Sequence, residues 1–434
     1  MVSFLVILLM VLVVSRSCTA VAQESVDHFK ERVQYYSEDF HGHKRPRCTV
    51  LPRGDRESDV PNILKAFKRC NNGGTVYFPE NNIYWIPEPL NPIIHDVKII
   101  WRGQWKFSED LPYWRAAAYP IAFQNHAASF ILTGSKITIN GYGVGGIDGG
   151  GDSWYTADKG KSTVGRPMPF LFWNVTYVHV QDFYVNQPAL WSVNIMNGTN
   201  MFFKNISTSA ISSEAPSGVN WVQNTDGFNT MDARNITLDG FHYLGGDDCI
   251  AIKPRSYDIF INNVTCNSGN GIAIGSVAQY LEDNSVENVI IQNAKVPGTV
   301  YGVYIKIWTG VLVPQTNYES CCEPRGGGWG NVRNLTFANI DVTGAKRALW
   351  VGQNNGGNTS TIGTSKMQIS EIYFTNFTGV LNSKTNAADF TCSNVYPCYD
   401  IFFTNTIVVS TTGATLKGSC AMAAPGGIHG LSGC

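Results

Sequence analysis

The chain has 434 residues, of which 44% are hydrophobic and 12% aromatic, so it can build a buried core and is not generally disordered. Its 32 basic and 33 acidic residues leave a net charge of -1, which argues against nucleic-acid binding through broad electrostatic attraction. Only 15% of the residues are charged, against ~25% in typical proteins, while glycine takes 43 positions.

The first 22 residues have the features of a secretory signal peptide. The apolar run from Phe4 to Val14 is shorter than the ~20 residues that a membrane span needs. Ala20-Val21-Ala22 offers a small-residue cleavage site before Gln23, although no Lys or Arg precedes the apolar run. We therefore predict a secreted, extracellular protein with no membrane association. A buried N-terminal strand or short anchor is the alternative for this segment.

The segment from Gln23 to about Asp96 differs from the rest because it is more charged. It contains a helix-like stretch from Ser58 to Cys70 and a strand entry from Gly73 to Pro79. If the remainder of the chain forms an elongated repeat structure, a helix at this place caps its open end and shields the exposed edge.

From about residue 136 a short motif recurs nine times. Each unit has one leading residue, then apolar-x-apolar-x, then Asn, Asp or Gly. The units begin at Lys136, Tyr177, Asn200, Asn235, Asp258, Asn288, Asn334, Glu371 and Asp400. The shortest interval is 23 residues and recurs, and the longer intervals indicate the same unit with loop insertions. This period predicts a β-solenoid, since propeller blades need ~40 or more residues and the leucine pattern of leucine-rich repeats is absent.

The sixth residue of each unit indicates a sharp turn after each strand, because Asn, Asp and Gly tolerate positive φ best. Stacked turns would align these side chains in a column in which amides bond to neighbouring turns. Eight glycosylation sequons agree with export; they begin at Asn174, Asn197, Asn205, Asn235, Asn263, Asn334, Asn358 and Asn376. If the column is buried, its members Asn205, Asn263 and Asn376 should carry no glycan. We predict a single all-β solenoid domain over residues 23–434.

The 11 cysteines fit an oxidised exported protein once Cys18 is removed with the signal peptide. We predict local disulfides that leave Cys321 and Cys322 as a vicinal pair or as partners of unassigned residues. The predicted pairs are Cys48–Cys70, Cys249–Cys266, Cys392–Cys398 and Cys420–Cys434. Neither CxxC nor His-rich spacing occurs, so we expect no metal site.

Four short polar motifs between residues 224 and 306 carry the most chemical content. They are Asn224-Thr225-Asp226-Gly227, Gly246-Asp247-Asp248-Cys249, Gly269-Asn270-Gly271 and Tyr304-Ile305-Lys306. Asp226, Asp248 and Asn270 follow each other at intervals of 22 residues, which predicts the same phase on successive turns ~4.8 Å apart. Crowded carboxylates keep one acid protonated beside ionised neighbours, as a glycoside hydrolase requires. Solvated Asp-rich turns and calcium-binding turns are the alternatives.

In this order the motifs resemble glycoside hydrolase family 28, the polygalacturonase family, whose pattern is Asn-Thr-Asp, Asp-Asp, Gly-His-Gly and Arg-Ile-Lys. Gly146-Ile147-Asp148-Gly149 and Trp154 extend the resemblance, which covers about residues 70–410. It implies a right-handed parallel β-helix and hydrolysis of pectin with inversion, without a cofactor. It also implies that Asp247 is the general acid and that Asp226 and Asp248 hold and activate water. Inversion implies that acid and base lie ~6.5–9.5 Å apart.

Two positions depart from the family pattern. Asn270 stands where the family has His, and Tyr304 stands where it has Arg, which leaves Lys306 as the single cation. Tyrosine cannot form a bidentate ion pair with a galacturonate carboxylate but can stack on a sugar. These changes and the insert Gln315–Gly330 resemble the exo-acting fungal branch. The predicted substrate-binding residues are Lys306, Asn270, Asn224, Tyr304, Trp308 and Arg325, with Trp329 as a further wall residue. A buried structural role is the alternative for each of the two tryptophans.

The leading hypothesis is a galacturan 1,4-α-galacturonidase that releases galacturonic acid from non-reducing ends. The close alternative is an α-L-rhamnosidase acting on rhamnogalacturonan, since rhamnose has no carboxylate for the missing Arg to bind. A calcium-dependent pectate lyase and a non-catalytic wall-binding protein are further alternatives. The expected partner is a pectic polysaccharide or oligosaccharide, and we expect a monomer that binds no nucleic acid.

Overall fold

The computed structural model describes residues 45–382 and 386–434, and its main sheet has 24 parallel strands. Each strand pairs with strands one turn earlier and one turn later, so the chain winds into a right-handed parallel β-helix as the sequence predicted. The predicted signal peptide and residues 23–44 lie outside the described residues, so the division into signal peptide and single mature domain stays a prediction. Within the described ranges, none of the helices has the length and apolar character needed to cross a membrane.

The described helices are α1 (Val60–Arg69), α2 (Leu111–Ala117) and α3 (Gly151–Asp158), with short 3-10 helices at Phe123–Asn125, Tyr318–Ser320 and Thr359–Thr361. The strands of the first half are β1 (Arg47–Thr49), β2 (Thr75–Phe78), β3 (Ile83–Ile86), β4 (Ile93–Trp101), β5 (Gln104–Phe107), β6 (Tyr119–Ile121), β7 (His126–Ala128), β8 (Ile131–Asn140), β9 (Gly146–Asp148), β10 (Pro167–Met168), β11 (Phe170–Asn186), β12 (Val193–Ser209), β13 (Phe228–Met231) and β14 (Ala233–Leu244). Those of the second half are β15 (Asp248–Ile252), β16 (Ser256–Asn267), β17 (Gly271–Val277), β18 (Val286–Lys295), β19 (Tyr301–Trp308), β20 (Trp329–Asp341), β21 (Arg347–Asn355), β22 (Lys366–Leu381), β23 (Ala388–Thr391), β24 (Tyr399–Thr404), β25 (Ile407–Ser410), β26 (Gly418–Ala421) and β27 (Ile428–His429). Strands β6, β7 and β10 form a separate three-stranded sheet.

The nine sequence repeats are the turns of this helix. The second residue of each unit pairs in register with the second residue of the next, and all nine are buried. This ladder consists of Ile137, Val178, Met201, Ile236, Ile259, Val289, Leu335, Ile372 and Ile401. Val97 precedes it, paired with Ile137, so one further unit begins at Asp96. The sequence reading missed that unit because its sixth residue is Trp101, which is buried in the core instead of forming a polar turn.

Residues with a left-handed backbone conformation stand at both ends of each core strand. Eight of the nine predicted sixth positions have positive φ, the exception being Gly141, and all nine leading residues have it too. The side chains form exposed amide ladders, as when Asn339 Nδ2 donates to Asn293 Oδ1 and Asn376 Nδ2 to Asn339 Oδ1, both at 2.8 Å. The predicted column therefore exists, but its burial was a wrong premise, since Asn205, Asn263 and Asn376 are all exposed. Glycosylation of Asn376 would instead compete with its ladder bond.

Helix α1 covers one end of the solenoid. Its buried residues Ile63 and Phe67 lie on one face, and the ring centroid of Phe67 is 6.3 Å from that of Phe78 in the core. The disulfide Cys48–Cys70 ties the end of this helix to the first strand. The other three predicted disulfides, Cys249–Cys266, Cys392–Cys398 and Cys420–Cys434, are present as well. Cys321 and Cys322 are free and exposed.

Candidate active site

The four polar motifs lie on successive turns of one face. Strands β13, β15, β17 and β19 pair in this order. Asp226 lies just before β13, Asp247 just before β15 and Asn270 just before β17, while Lys306 belongs to β19. The 22-residue offset holds between β13 and β15, as the spacing predicted, but a register shift in β15 pairs Asp248 with Gly271. The prediction was therefore wrong for Asn270, which lies beside Asp247 and not in phase with Asp248. Gly271 is required here, because it has a φ of 101° and a Cβ would lie 1.9 Å from the carbonyl oxygen of Tyr301.

The three aspartates form one tight cluster. One carboxylate oxygen from each of Asp226, Asp247 and Asp248 lies within 4.8 Å of the others, and Asp226 and Asp248 are each only 2% exposed. This separation is smaller than the ~6.5–9.5 Å that inversion was expected to require. That expectation was wrong because neighbouring turns of the sheet hold the carboxylates at about the strand spacing.

Asp247 is held by hydrogen bonds to both of its oxygens. Its Oδ2 accepts from the backbone N–H of Asn224 at 2.8 Å, and its Oδ1 accepts from the backbone N–H of Asp248 and from Asn270 Nδ2, both at 2.9 Å. Asn224 has a φ of 57°, which Asn tolerates better than most residues and which points its N–H at the carboxylate. Asn270 therefore contacts the acid directly in the place of the family histidine.

The protonation of Asp247 does not depend on a histidine. Burial, and after it the carboxylate of Asp248, raises the pKa of Asp247 to about 6, while Lys306 and the two backbone donors limit the rise. At pH 5 this carboxyl is mostly protonated and can donate a proton, which is the state that a general acid needs.

Tyr243 supports Asp247 from the core and was missed by the sequence reading. Its hydroxyl accepts from the backbone N–H of Asp247 at 2.9 Å and donates to the carbonyl oxygen of the same residue at 3.0 Å. Burial raises the pKa of Tyr243 well above its ordinary value, so the hydroxyl keeps its proton. The only sequence signal is a tyrosine at an inward position of β14, four residues before the acid.

Tyr304 binds a carboxylate of the protein and does not face the cavity as a surface for a sugar ring. Its hydroxyl donates a hydrogen bond to Asp248 Oδ1, and the side chain is only 2% exposed. The ring packs against Tyr301 and Trp350, with centroids 4.8 and 6.4 Å away. The idea that Tyr304 stacks on the substrate was therefore wrong, because the side chain is almost completely buried.

Two lysines face the aspartates, the partly exposed Lys306 and the buried Lys253. Lys306 lines the cavity, and although burial opposes its charge, the carboxylates of Asp248, Asp247 and Asp226 raise its pKa. Lys253, which the sequence reading missed, lies with its Nζ 3.5 Å from Asp226 Oδ2 and 4.0 Å from the ring centroid of Trp191. The available signal was a single lysine directly after the apolar strand β15. The aspartates are close enough to bind a cation, but these two ammonium groups already supply positive charge beside them.

A cavity of about 240 Å³ opens over the cluster. The three aspartates and the two lysines line it. The other lining residues are Gln124, Trp191, Asn224, Ser276, Trp308, Gln315, Asn317, Glu319, Asn355 and Gly356. Three of these residues, Gln315, Asn317 and Glu319, come from the insert Gln315–Gly330.

The insert is fixed by contacts with Asn125, the last residue of a 3-10 helix, and with His126, the first residue of β7. Asn125 Nδ2 donates to the carbonyl oxygen of Tyr318 at 3.0 Å, and the rings of Tyr318 and His126 lie 5.9 Å apart. Arg325 does not line the cavity; its guanidinium lies 4.5 Å from the ring centroid of Tyr280 and donates to the carbonyl oxygen of Ser320 at 3.2 Å.

The two predicted wall tryptophans have different positions. Trp308 lines the cavity, although it is only 5% exposed and packs closely on Gly356. Trp329 begins β20 with 48% of its surface exposed and lies away from the cavity lining. Of the predicted substrate-binding residues, Lys306, Asn224 and Trp308 therefore line the cavity, while Asn270 and Tyr304 contact the catalytic candidates.

The similarity to known proteins agrees with this geometry. A model of Glycosyl hydrolases family 28 matches residues 89–424. The chain is 56% identical over 394 residues to "Putative galacturan 1,4-alpha-galacturonidase C" of Aspergillus niger, which covers 89% of this chain and 93% of that protein. It is 34% identical over 379 residues to "Alpha-L-rhamnosidase rgxB" of the same species, covering 84% of each. The solved endo-xylogalacturonan hydrolase from Aspergillus tubingensis shares its fold, with a TM-score of 0.76 and 24% identity over 89% of this chain and 100% of that one. On the extent of the family match and the identity to the first of these relatives, the chain belongs to glycosyl hydrolases family 28.

Proposed function

We propose that this protein is an exo-acting pectin hydrolase that releases galacturonic acid from the non-reducing ends of galacturonan. The observation that carries the proposal is that the insert residues Gln315, Asn317 and Glu319 line the same cavity as Asp247. An exo enzyme needs a wall beside the scissile bond, and an endo enzyme needs an open cleft there. The 56% identical relative, named for galacturonidase activity, supports the same substrate.

In this proposal Asp247 gives its proton to the glycosidic oxygen as the bond to the anomeric carbon breaks. A water molecule held by Asp226 and Asp248 attacks that carbon, and its proton passes to one of these two carboxylates. Lys306 binds the carboxylate of a galacturonate unit beside the scissile bond, since it is the cation of the family motif that this chain keeps.

Inversion remains part of the proposal on the strength of the family resemblance. The 4.8 Å separation of the carboxylate oxygens is also short enough for a retaining mechanism, in which carboxyl groups lie ~5–5.5 Å apart. The first-formed anomer distinguishes the two. A proton NMR time course on an α-linked oligogalacturonide should show the β-anomer first, and the α-anomer first would overturn inversion.

The second candidate is release of rhamnose from rhamnogalacturonan ends. Two observations favour it: Tyr304 replaces a carboxylate-binding arginine, and a 34% identical relative is named as an α-L-rhamnosidase. Lys306 at the cavity weighs against it, because a cation suits an acidic sugar better than a neutral one.

Product identification tests these functions together. The protein is incubated with oligogalacturonides and with rhamnogalacturonan oligosaccharides, and the products are identified by proton NMR. Galacturonic acid as the only monosaccharide supports the proposal, whereas rhamnose alone supports the second candidate. An unsaturated product that a chelator suppresses would indicate a lyase, and no product would indicate a binding protein. The sequence features of a signal peptide and the four disulfides support an extracellular place of action; the monomer stays a prediction.

A further inference from the structure

Lys253 is a buried cation that no motif of the family pattern used above includes. It follows β15 directly, is 4% exposed and lines the cavity. Its Nζ lies 4.0 Å from the ring centroid of Trp191, which is itself 3% exposed, so the aromatic ring fixes the ammonium group on one side. Such a cation–π contact is strongest where water is excluded.

The partner of this ammonium group is Asp226. The distance from Lys253 Nζ to Asp226 Oδ2 is 3.5 Å, and both side chains are almost completely buried. The other oxygen, Asp226 Oδ1, is buried and has no hydrogen-bond partner in the protein. A buried carboxylate oxygen without a partner is costly unless water or a ligand satisfies it. Because Asp226 lines the cavity, this oxygen is suited to hold a water molecule there.

We propose that Lys253 is a positioning residue for the hydrolytic reaction: its ammonium group holds Asp226 in the ionised state by Oδ2 and leaves Oδ1 to orient the attacking water and take its proton. This inference rests on the proposed hydrolase function. It assigns the buried Lys253 to the carboxylate that activates water and leaves Lys306 to the substrate.

The charges around the pair agree in sign with this role. Burial raises the pKa of Asp226 well above its ordinary value, and the carboxylates of Asp247 and Asp248 raise it further. Lys253 is the strongest of the charges that oppose this rise, and Lys306 adds a smaller contribution. The pKa of Asp226 is raised even with Lys253 present, and removing Lys253 would raise it further. A protonated Asp226 cannot accept a proton from water.

The remaining groups beside Lys253 do not replace it. Burial lowers the pKa of His126 to about 3, so this ring is neutral, and Arg166 donates to backbone oxygens of Ala189 and Gln223. Glu319 faces Lys253 and Lys306 from the insert and is itself acidic.

The test compares Lys253→Met with Lys253→Arg and with Lys295→Met, which removes an exposed charge on β18. In Lys253→Met we expect kcat to fall about 100-fold or more, KM to change little, and the acid limb of the kcat/KM profile to move up by at least about one pH unit. In Lys253→Arg the acid limb of the kcat/KM profile should stay near its wild-type pH. Lys295→Met should have the kcat, KM and pH profile of wild type. A raised KM with an unmoved acid limb would overturn the proposal and make Lys253 a substrate ligand.

A stability cycle tests the same pairing without any substrate. Denaturant unfolding is measured for Lys253→Met, Asp226→Asn and the double variant at pH 7. We expect Lys253→Met to be strongly destabilised or unfolded and the double variant to recover stability, because it no longer buries an uncompensated carboxylate. A double variant as unstable as Lys253→Met would overturn the pairing. If wild type hydrolyses neither pectic substrate, the proposed function fails, whereas this cycle still reports on the pairing.

Discussion

Replacing Lys306 with methionine should weaken the binding of acidic chain ends selectively. The side chain lines the cavity, and it is the cation proposed to bind a galacturonate carboxylate. A hydrogen bond to a charged group contributes ~1.5–3 kcal/mol. At ~1.4 kcal/mol per factor of ten, its loss predicts a KM for oligogalacturonides about 10- to 150-fold higher.

The same substitution should move the pH profile. Lys306 lowers the pKa of Asp247, which is about 6 in its presence. Without it the carboxyl keeps its proton to a higher pH, so the alkaline limb of kcat/KM should shift upward. Steady-state kinetics from pH 4 to 8 on oligogalacturonides measure both effects, with Lys295→Met as the matched control for a lost surface charge.

Two outcomes would refute this reasoning. An unchanged KM on oligogalacturonides would show that Lys306 does not bind the substrate carboxylate. An alkaline limb that stays in place or moves down would show that Lys306 does not influence the acid. If wild type also cleaves rhamnogalacturonan ends, Lys306→Met should leave the KM for that neutral terminal sugar within a few-fold of wild type.

Three further changes probe the remaining parts of the site. Asp247→Asn should abolish hydrolysis and, in urea unfolding, stabilise the protein by about 3 kcal/mol at pH 7 but hardly at pH 4. The raised pKa of Asp247 means that its contribution to stability is complete below pH 4 and is lost as the pH rises through about 6. An equal effect at both pH values would contradict the assignment. Tyr304→Phe removes the hydrogen bond to Asp248. In steady-state assays kcat should fall about 10- to 150-fold with little change in KM. A change confined to KM would count against a role of Tyr304 in orienting Asp248. Glu319→Gln removes a carboxylate that faces Lys306. The KM for oligogalacturonides should therefore fall a few-fold, and the KM for a neutral chain end should not change. A higher KM for oligogalacturonides would mean that Glu319 accepts hydrogen bonds from the terminal sugar.

The fold was largely predictable because the repeat is local. A period of 23 residues or more fixes which strands stack, and the ladder from Ile137 to Ile401 follows the predicted register throughout. The unit at Asp96 escaped because Trp101 fills the place of the polar turn residue. The catalytic candidates were predictable for the same reason, since their spacing follows the turn length.

The surroundings of the carboxylates were less predictable because they depend on packing between turns. Lys253 follows an apolar strand, and such a lysine is usually a solvated strand end, so only its burial against Trp191 reveals the ion pair. Glu319 belongs to an insert without periodicity, and its place on the cavity follows from the contact of Tyr318 with His126. No pattern in the sequence encodes that contact.

The two departures from the family pattern are explained by what the new side chains contact. A histidine beside the acid can tune its proton, but here burial and Asp248 already raise the pKa of Asp247, so Asn270 needs only to orient the carboxyl group. An arginine at the place of Tyr304 would add a third cation to a cluster of three carboxylates that already has two lysines beside it. The tyrosine instead gives Asp248 a neutral hydrogen-bond donor and leaves the electrostatic balance of the cluster to the lysines. In the proposed function, an enzyme built in this way recognises an acidic sugar through fewer cations, which suits release of one terminal unit more than binding of a long polyanion.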